Sequence, residues 1–169
     1  MPYDQNTSLW YAGESKHYWH EFQITPIKQT GSHCVSTSLA MLSGKPPEFF
    51  QGVVNTQNPV SWSEALKPFG KKLAYCPSDI RRLQFYLDEL VSLDDLFLLC
   101  YYTSQDADTL LRNPDSKGWI CGSHVVILHR DQIIDPARGT VVNFRDHPCA
   151  GYHTKRIFRV VPLEHPREL

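Results

Sequence analysis

The order of its segments constrains this chain most. From Asp95 onward the apolar residues come in short runs rich in Val, Ile, Phe and Tyr, separated by turn residues: "DLFLLCYYTS", "SHVVILHR", "DQIIDPARG", "TVVNF" and "KRIFRVVPL". Ahead of them the spacing is helical. Helices first and a run of strands afterwards predict an α+β fold in which an antiparallel sheet packs against the early helices.

Three helices and one early strand are expected before that run. "CVSTSLAMLSG" reads as a helix ending at Gly44, because the prolines of "KPPEFF" forbid its continuation. "SWSEALKPFG" reads as a second, short helix capped by Ser61 or Ser63 and stopped by Pro68 and Gly70. "KKLAYCP" reads as a strand. "SDIRRLQFYLDELVSL" reads as the third helix, with Ser78 as N-cap and Ile80, Leu83, Leu87 and Leu90 on one face. No repeat, linker or low-complexity tract divides the chain, so residues 1–169 are expected to form a single domain, with 1–23 as an aromatic-rich lead-in segment.

Charge and composition exclude several classes of function. Seventeen basic residues balance eighteen acidic ones, which leaves no electrostatic footprint for nucleic acid and no polybasic patch for a membrane surface. The longest apolar run, "LFLLCYY", is too short to span a bilayer. The N-terminal stretch lacks a basic start and an apolar core, so no conventional signal peptide is expected. Five cysteines at unpaired spacings then read as free thiols in a reducing compartment. That points to a cytoplasmic protein, or to one delivered into a target cell by another route. Oligomeric state is left open.

Two of those cysteines need no special account. Cys76 and Cys100 sit inside apolar runs, where cysteine acts as a small core hydrophobe. Cys34 is different. It opens the first helix, after the Gly31-Ser32 turn, among His33, Ser36, Thr37 and Ser38. Backbone N–H groups at a helix start carry partial positive charge and stabilise negative charge on sulfur. The Gln29 amide and the Cys34 backbone N–H are together suited to bind an oxyanion when an acyl carbon becomes tetrahedral.

A thiol nucleophile needs a base, usually a histidine held by a third polar group. Of eight histidines, His124 and His129 lie in a strand, "SHVVILHR". If that strand and "QIID" form a hairpin turning at Arg130-Asp131, His129 opposes Gln132 and Val126 opposes Asp135. His124 and Asp135 then share a face, one diagonal step apart. An odd-length turn would separate them. Taken alone, His124 reads more readily as a satisfied structural histidine than as a catalytic one, and Asp135-Pro136 equally well as a turn that ends a strand.

"IKQTGSHCVSTSLAML" followed far downstream by "GSHVVILHRDQIIDPARG" resembles the papain-like cysteine peptidases, in particular the compact bacterial branch that includes double-glycine, bacteriocin-processing peptidases. "SWSEALKPFGKKLAYCPSDIRRL" resembles the helix–strand–helix insertion of that family. The resemblance spans residues 24–137. It implies a papain-like fold, with Cys34 as nucleophile, His124 as general base and acid, Asp135 as its orienter and Gln29 as oxyanion donor. Two positions depart from the pattern. Val35 stands where relatives often carry Gly or Trp, and the four residues between Gln29 and Cys34 are one fewer than usual.

The expected reaction is hydrolysis of a peptide or isopeptide bond in a protein or peptide substrate, with no metal and no organic cofactor. The same set would serve a glutamine deamidase or an acyl transferase, and a non-catalytic binding protein keeping the fold is the rival from another class. His33, Trp62 and Trp119 are candidates for a substrate groove. A zinc site drawn from Cys121, His124, His33 and Cys34 lacks a second ligand pair at structural spacing. The biological setting stays open among a bacterial effector or toxin, a phage protein and a housekeeping peptidase.

Overall fold

The structure, a computed structural model, describes residues 9–10, 16–103 and 122–169. Six strands form one sheet: β1 (Lys71–Cys76), β2 (Leu96–Tyr102), β3 (Ser123–His129), β4 (Gln132–Asp135), β5 (Thr140–Asn143) and β6 (Thr154–Pro162). Their order is β1-β6-β2-β3-β4-β5, and every neighbouring pair is antiparallel. Among the described residues three α-helices accompany it: α1 (Cys34–Ser43), α2 (Pro59–Leu66) and α3 (Gln84–Ser92). The expected α+β architecture is therefore the observed one. No described helix is long and apolar enough to cross a membrane.

The alternation of strand residues divides the core between the two faces of the sheet. Val125 and Ile127 of β3 pack with Leu39, Leu42, Trp62 and Leu66 from α1 and α2. Val126 and Leu128 point the other way, to Leu83, Leu87 and Leu90 around α3 and to Phe144 and Cys149. Both faces of β2 are covered, which is why "LFLLCYY" shows no polar alternation. Helix α1 is buried nearly all round, from Val35 to Leu42, and ends where Gly44 takes a left-handed conformation and returns its N–H to the Ala40 carbonyl.

Two helix starts differ from expectation. Helix α2 is capped by Asn58, whose side-chain oxygen accepts the Val60 N–H, with Pro59 in the first turn; Ser61 and Ser63 do other work. Ser63 Oγ accepts the Leu73 N–H at 2.9 Å and so ties α2 to β1. Helix α3 begins at Gln84, not after Ser78. The residues between are drawn into strand-like pairing: Arg82 bridges His153, and Thr154 donates its N–H to Arg81 at 2.7 Å. Ile80 is accordingly exposed, while Leu83, Leu87 and Leu90 face the core as expected.

The lead-in is fastened to the sheet by a buried ion pair. Arg159 on β6 is fully buried and donates to Asp95 from Nη2 at 2.7 Å and from Nε at 3.1 Å. Asp95 also accepts the backbone N–H groups of Tyr18 and Trp19, and Arg159 reaches the Lys16 carbonyl. His129 donates to the Trp19 carbonyl at 3.0 Å, which gives the second histidine of β3 a structural role.

Candidate active site

The β3–β4 hairpin places the first half of the site. Observed pairing sets His129 opposite Gln132, Leu128 opposite Ile133 and Ile127 opposite Ile134, across a turn in which Arg130 has a positive φ of 61°. This is the register expected from the sequence, and it puts His124 and Asp135 on one face. His124 Nε2 lies 2.7 Å from Asp135 Oδ1, and both side chains are largely buried.

The other nitrogen of His124 is left for the thiol. Helix α1 packs against β3, which brings Cys34, at its first position, near enough to His124 for the two side chains to interact electrostatically. Cys34 is half-buried, whereas Cys76, Cys100 and Cys149 are buried, with thiols pushed up to about 12 by burial. The N-terminus of α1 has no side-chain cap, and no acidic residue lies in its first turn. Its leading N–H groups thus remain available to an anion beside the sulfur.

The electrostatics of the pair favour a charged imidazole. Burial works against the His124 cation, but the hydrogen bond to Asp135 and the neighbouring Cys34 thiol outweigh it and raise the group from 6.5 to about 9. Asp135 moves the opposite way. Burial alone would raise it, yet hydrogen bonds from His124, His147 and the Ala137 N–H hold it well below the usual carboxylate range.

Gln29 is placed differently from Cys34, His124 and Asp135. Its Nε2 donates to the Gly31 carbonyl at 2.9 Å, which leaves one amide hydrogen, and its Oε1 is buried without a partner among the described residues. Gly31 bridges Gln29 and the helix start with a φ of 56°. His33 is exposed beside Cys34, and its carbonyl accepts both the N–H and the hydroxyl of Thr37. Trp62 departs from the groove expectation. Only 4% exposed, it packs edge-on to Phe158 and donates its indole N–H to the Asn55 carbonyl, so it is core. Trp119 and Cys121 lie outside the described residues. Among the described residues no cluster of His, Cys, Asp or Glu is arranged to hold a metal ion.

Two residues join the cluster without having been singled out from the sequence. His147 places Nε2 2.8 Å from Asp135 Oδ2, and the Tyr101 ring packs edge-on to His124 with centroids 5.8 Å apart. Tyr101 lies in an apolar strand and carries no signal of its own. His147 precedes a proline in a polar segment, and nothing in that spacing indicates a reach back to Asp135.

No protein-family model matches the chain, and no curated protein sequence does. Among solved structures, it is similar to the crystal structure of the peptidase domain of Streptococcus ComA, a bi-functional ABC transporter involved in a quorum-sensing pathway. The two share 14% sequence identity with a TM-score of 0.48, over 83% of this chain and 99% of that one.

Proposed function

We propose that this protein is a thiol hydrolase that cleaves a peptide or isopeptide bond. One observation carries the reading: a half-buried cysteine at an uncapped helix N-terminus lies beside a histidine whose Nε2 rests on a buried carboxylate. His124 takes the Cys34 proton, and the sulfur attacks the carbonyl carbon. Negative charge then develops on the carbonyl oxygen, where the N–H groups of the α1 start receive it, with the remaining amide hydrogen of Gln29 as the second donor. His124 returns the proton to the leaving amine as the C–N bond breaks. Water, deprotonated by the same imidazole, hydrolyses the thioester and frees Cys34. Asp135 holds the ring in the one orientation that serves both steps.

Deamidation and acyl transfer use the same first half of this cycle and differ only in the amine released or in the acceptor that replaces water. A proteome-wide comparison of wild type with Cys34→Ala separates them. New peptide termini or released isopeptide-linked chains are the expected result. Mass shifts of about one dalton at glutamine, without new termini, would make the protein a deamidase. If wild type changes nothing that Cys34→Ala leaves intact, and Cys34 alkylates no faster than in His124→Ala, the catalytic reading is overturned in favour of a binding protein.

A further inference from the structure

Asp135 is gripped at both oxygens, and the grip on Oδ2 comes from outside the hairpin. His147 is 5% exposed and its Nε2 lies 2.8 Å from Oδ2. Its other nitrogen, Nδ1, accepts the Cys149 N–H at 3.0 Å. A ring nitrogen that accepts a backbone N–H carries no proton, so the ring proton sits on Nε2 and points at the carboxylate. At the other end, Oδ1 receives His124 Nε2 and the Ala137 N–H. With donors on both oxygens the carboxylate cannot turn about its Cβ–Cγ bond without breaking one of them.

The segment that carries His147 also supports the imidazole from the side. Residues Pro148–Gly151 form a short 3-10 turn that His147 caps, and Tyr152 follows it, returning its N–H to the Cys149 carbonyl. The Tyr152 ring lies 5.4 Å from that of Tyr101, which in turn packs edge-on to His124. One short segment therefore backs His124 by two routes, through the carboxylate and through the Tyr152 and Tyr101 rings.

We propose that His147 is a positioning residue: locked in a single tautomer by the Cys149 backbone, it fixes the plane of the Asp135 carboxylate and through it the orientation of the His124 imidazole. Its effect on rate rests on the thiol-hydrolase reading; its effect on the His124–Asp135 hydrogen bond does not. A histidine that merely capped the 3-10 turn would matter only through Nδ1. One that positions Asp135 matters through Nε2.

Two substitutions separate the two nitrogens. His147→Asn keeps an oxygen able to accept the N–H two residues on, as Asx turns do, but has no donor long enough for Asp135. His147→Gln carries a donor to the former Nε2 position and gives up the cap. In His147→Asn, kcat should fall about tenfold or more, the size of one lost hydrogen bond to a charged group, with KM little changed. His147→Gln should stay within about threefold of wild type. Equal losses in both, a larger loss in Gln, or no loss in Asn would overturn the proposal. A second measurement is independent of turnover: the His124 Nε2 proton should give a downfield, slowly exchanging NMR resonance in wild type and His147→Gln, and be broadened in His147→Asn. Its persistence in His147→Asn overturns the positioning role. A wild type without hydrolytic activity would remove the hydrolase reading alone, with the proton spectrum still deciding the role of His147.

Discussion

Gln29 donates its backbone N–H to the carbonyl of Pro136 at 2.7 Å. Pro136 is the residue after Asp135, so the segment leading into the Cys34 helix is tied to the strand end that carries the candidate orienting carboxylate. The contact is close enough to dictate a glycine. At Gly139, in the same turn, an added Cβ would come within 2.9 Å of Lys28 Cβ and 3.2 Å of its backbone, and φ there is 66°.

Gly139→Ala should therefore act at a distance. The left-handed backbone and the contact with Lys28 should together cost about 1–2 kcal/mol or more, read from urea unfolding. The Lys28–Gln29 segment must also shift, so hydrolysis should slow further than the stability loss explains. Alkylation of Cys34, which forms no oxyanion, should stay near the wild-type rate.

Gln29→Ala tests the oxyanion role directly. Loss of one such donor typically costs on the order of a hundredfold in kcat. The expected pattern is that loss for an amide substrate with unchanged alkylation of Cys34. If hydrolysis is unaffected, the N–H groups at the start of α1 hold the oxyanion without help from Gln29.

The pH profile should carry the signature of His124. With the group raised to about 9, the imidazolium needed to protonate the leaving amine persists through neutrality, and kcat should decline only as pH passes about 9. Stability follows the same sign. A raised folded-state value means that the stabilisation is fully present below about 6.5, the ordinary histidine value, and is lost as pH rises through about 9. Asp135, held low, contributes stability above the ordinary carboxylate range that disappears as pH falls through its folded-state value. Urea midpoints measured from pH 3 to 10 should show both limbs, and His124→Ala should remove the alkaline one.

Asp95→Asn should loosen the lead-in. It removes the charge opposite fully buried Arg159 and weakens the acceptor for the Tyr18 and Trp19 N–H groups. Breaking a buried pair in this way costs roughly 3–5 kcal/mol. Limited proteolysis should then cut near residues 16–24 well before the sheet. If the cleavage pattern matches wild type, the pair does not hold that segment.

How much of this was legible beforehand depends on how local the determinant is. The hairpin register could be read because strand alternation and a two-residue turn leave few alternatives, and His124 and Asp135 followed from it. The start of α3 could not, since Arg81 and Arg82 have helical neighbours in sequence but pair with His153 and Thr154, which arrive much later in the chain. Trp62 looked suited to a groove wall because an indole serves surface and core alike; only its contact with Phe158 decides. His147 lies beyond an entire strand from the carboxylate it meets, and no periodicity links them. The Gln29 segment was read for its side chain, yet its hydrogen bond to the strand end beside Asp135 is made through the backbone.

The hairpin has a consequence for the order in which reactivity arises. His124 and Asp135 are 11 positions apart, so a short closure, cheap in chain entropy, brings imidazole and carboxylate together. The thiol joins them only when most of the chain has closed between α1 and β3. Partly folded chains can therefore hold an assembled imidazole–carboxylate pair with no activated sulfur beside it. Under the proposed mechanism, reactivity at Cys34 is then a property of the finished tertiary structure, and its alkylation rate should report the docking of α1 on β3.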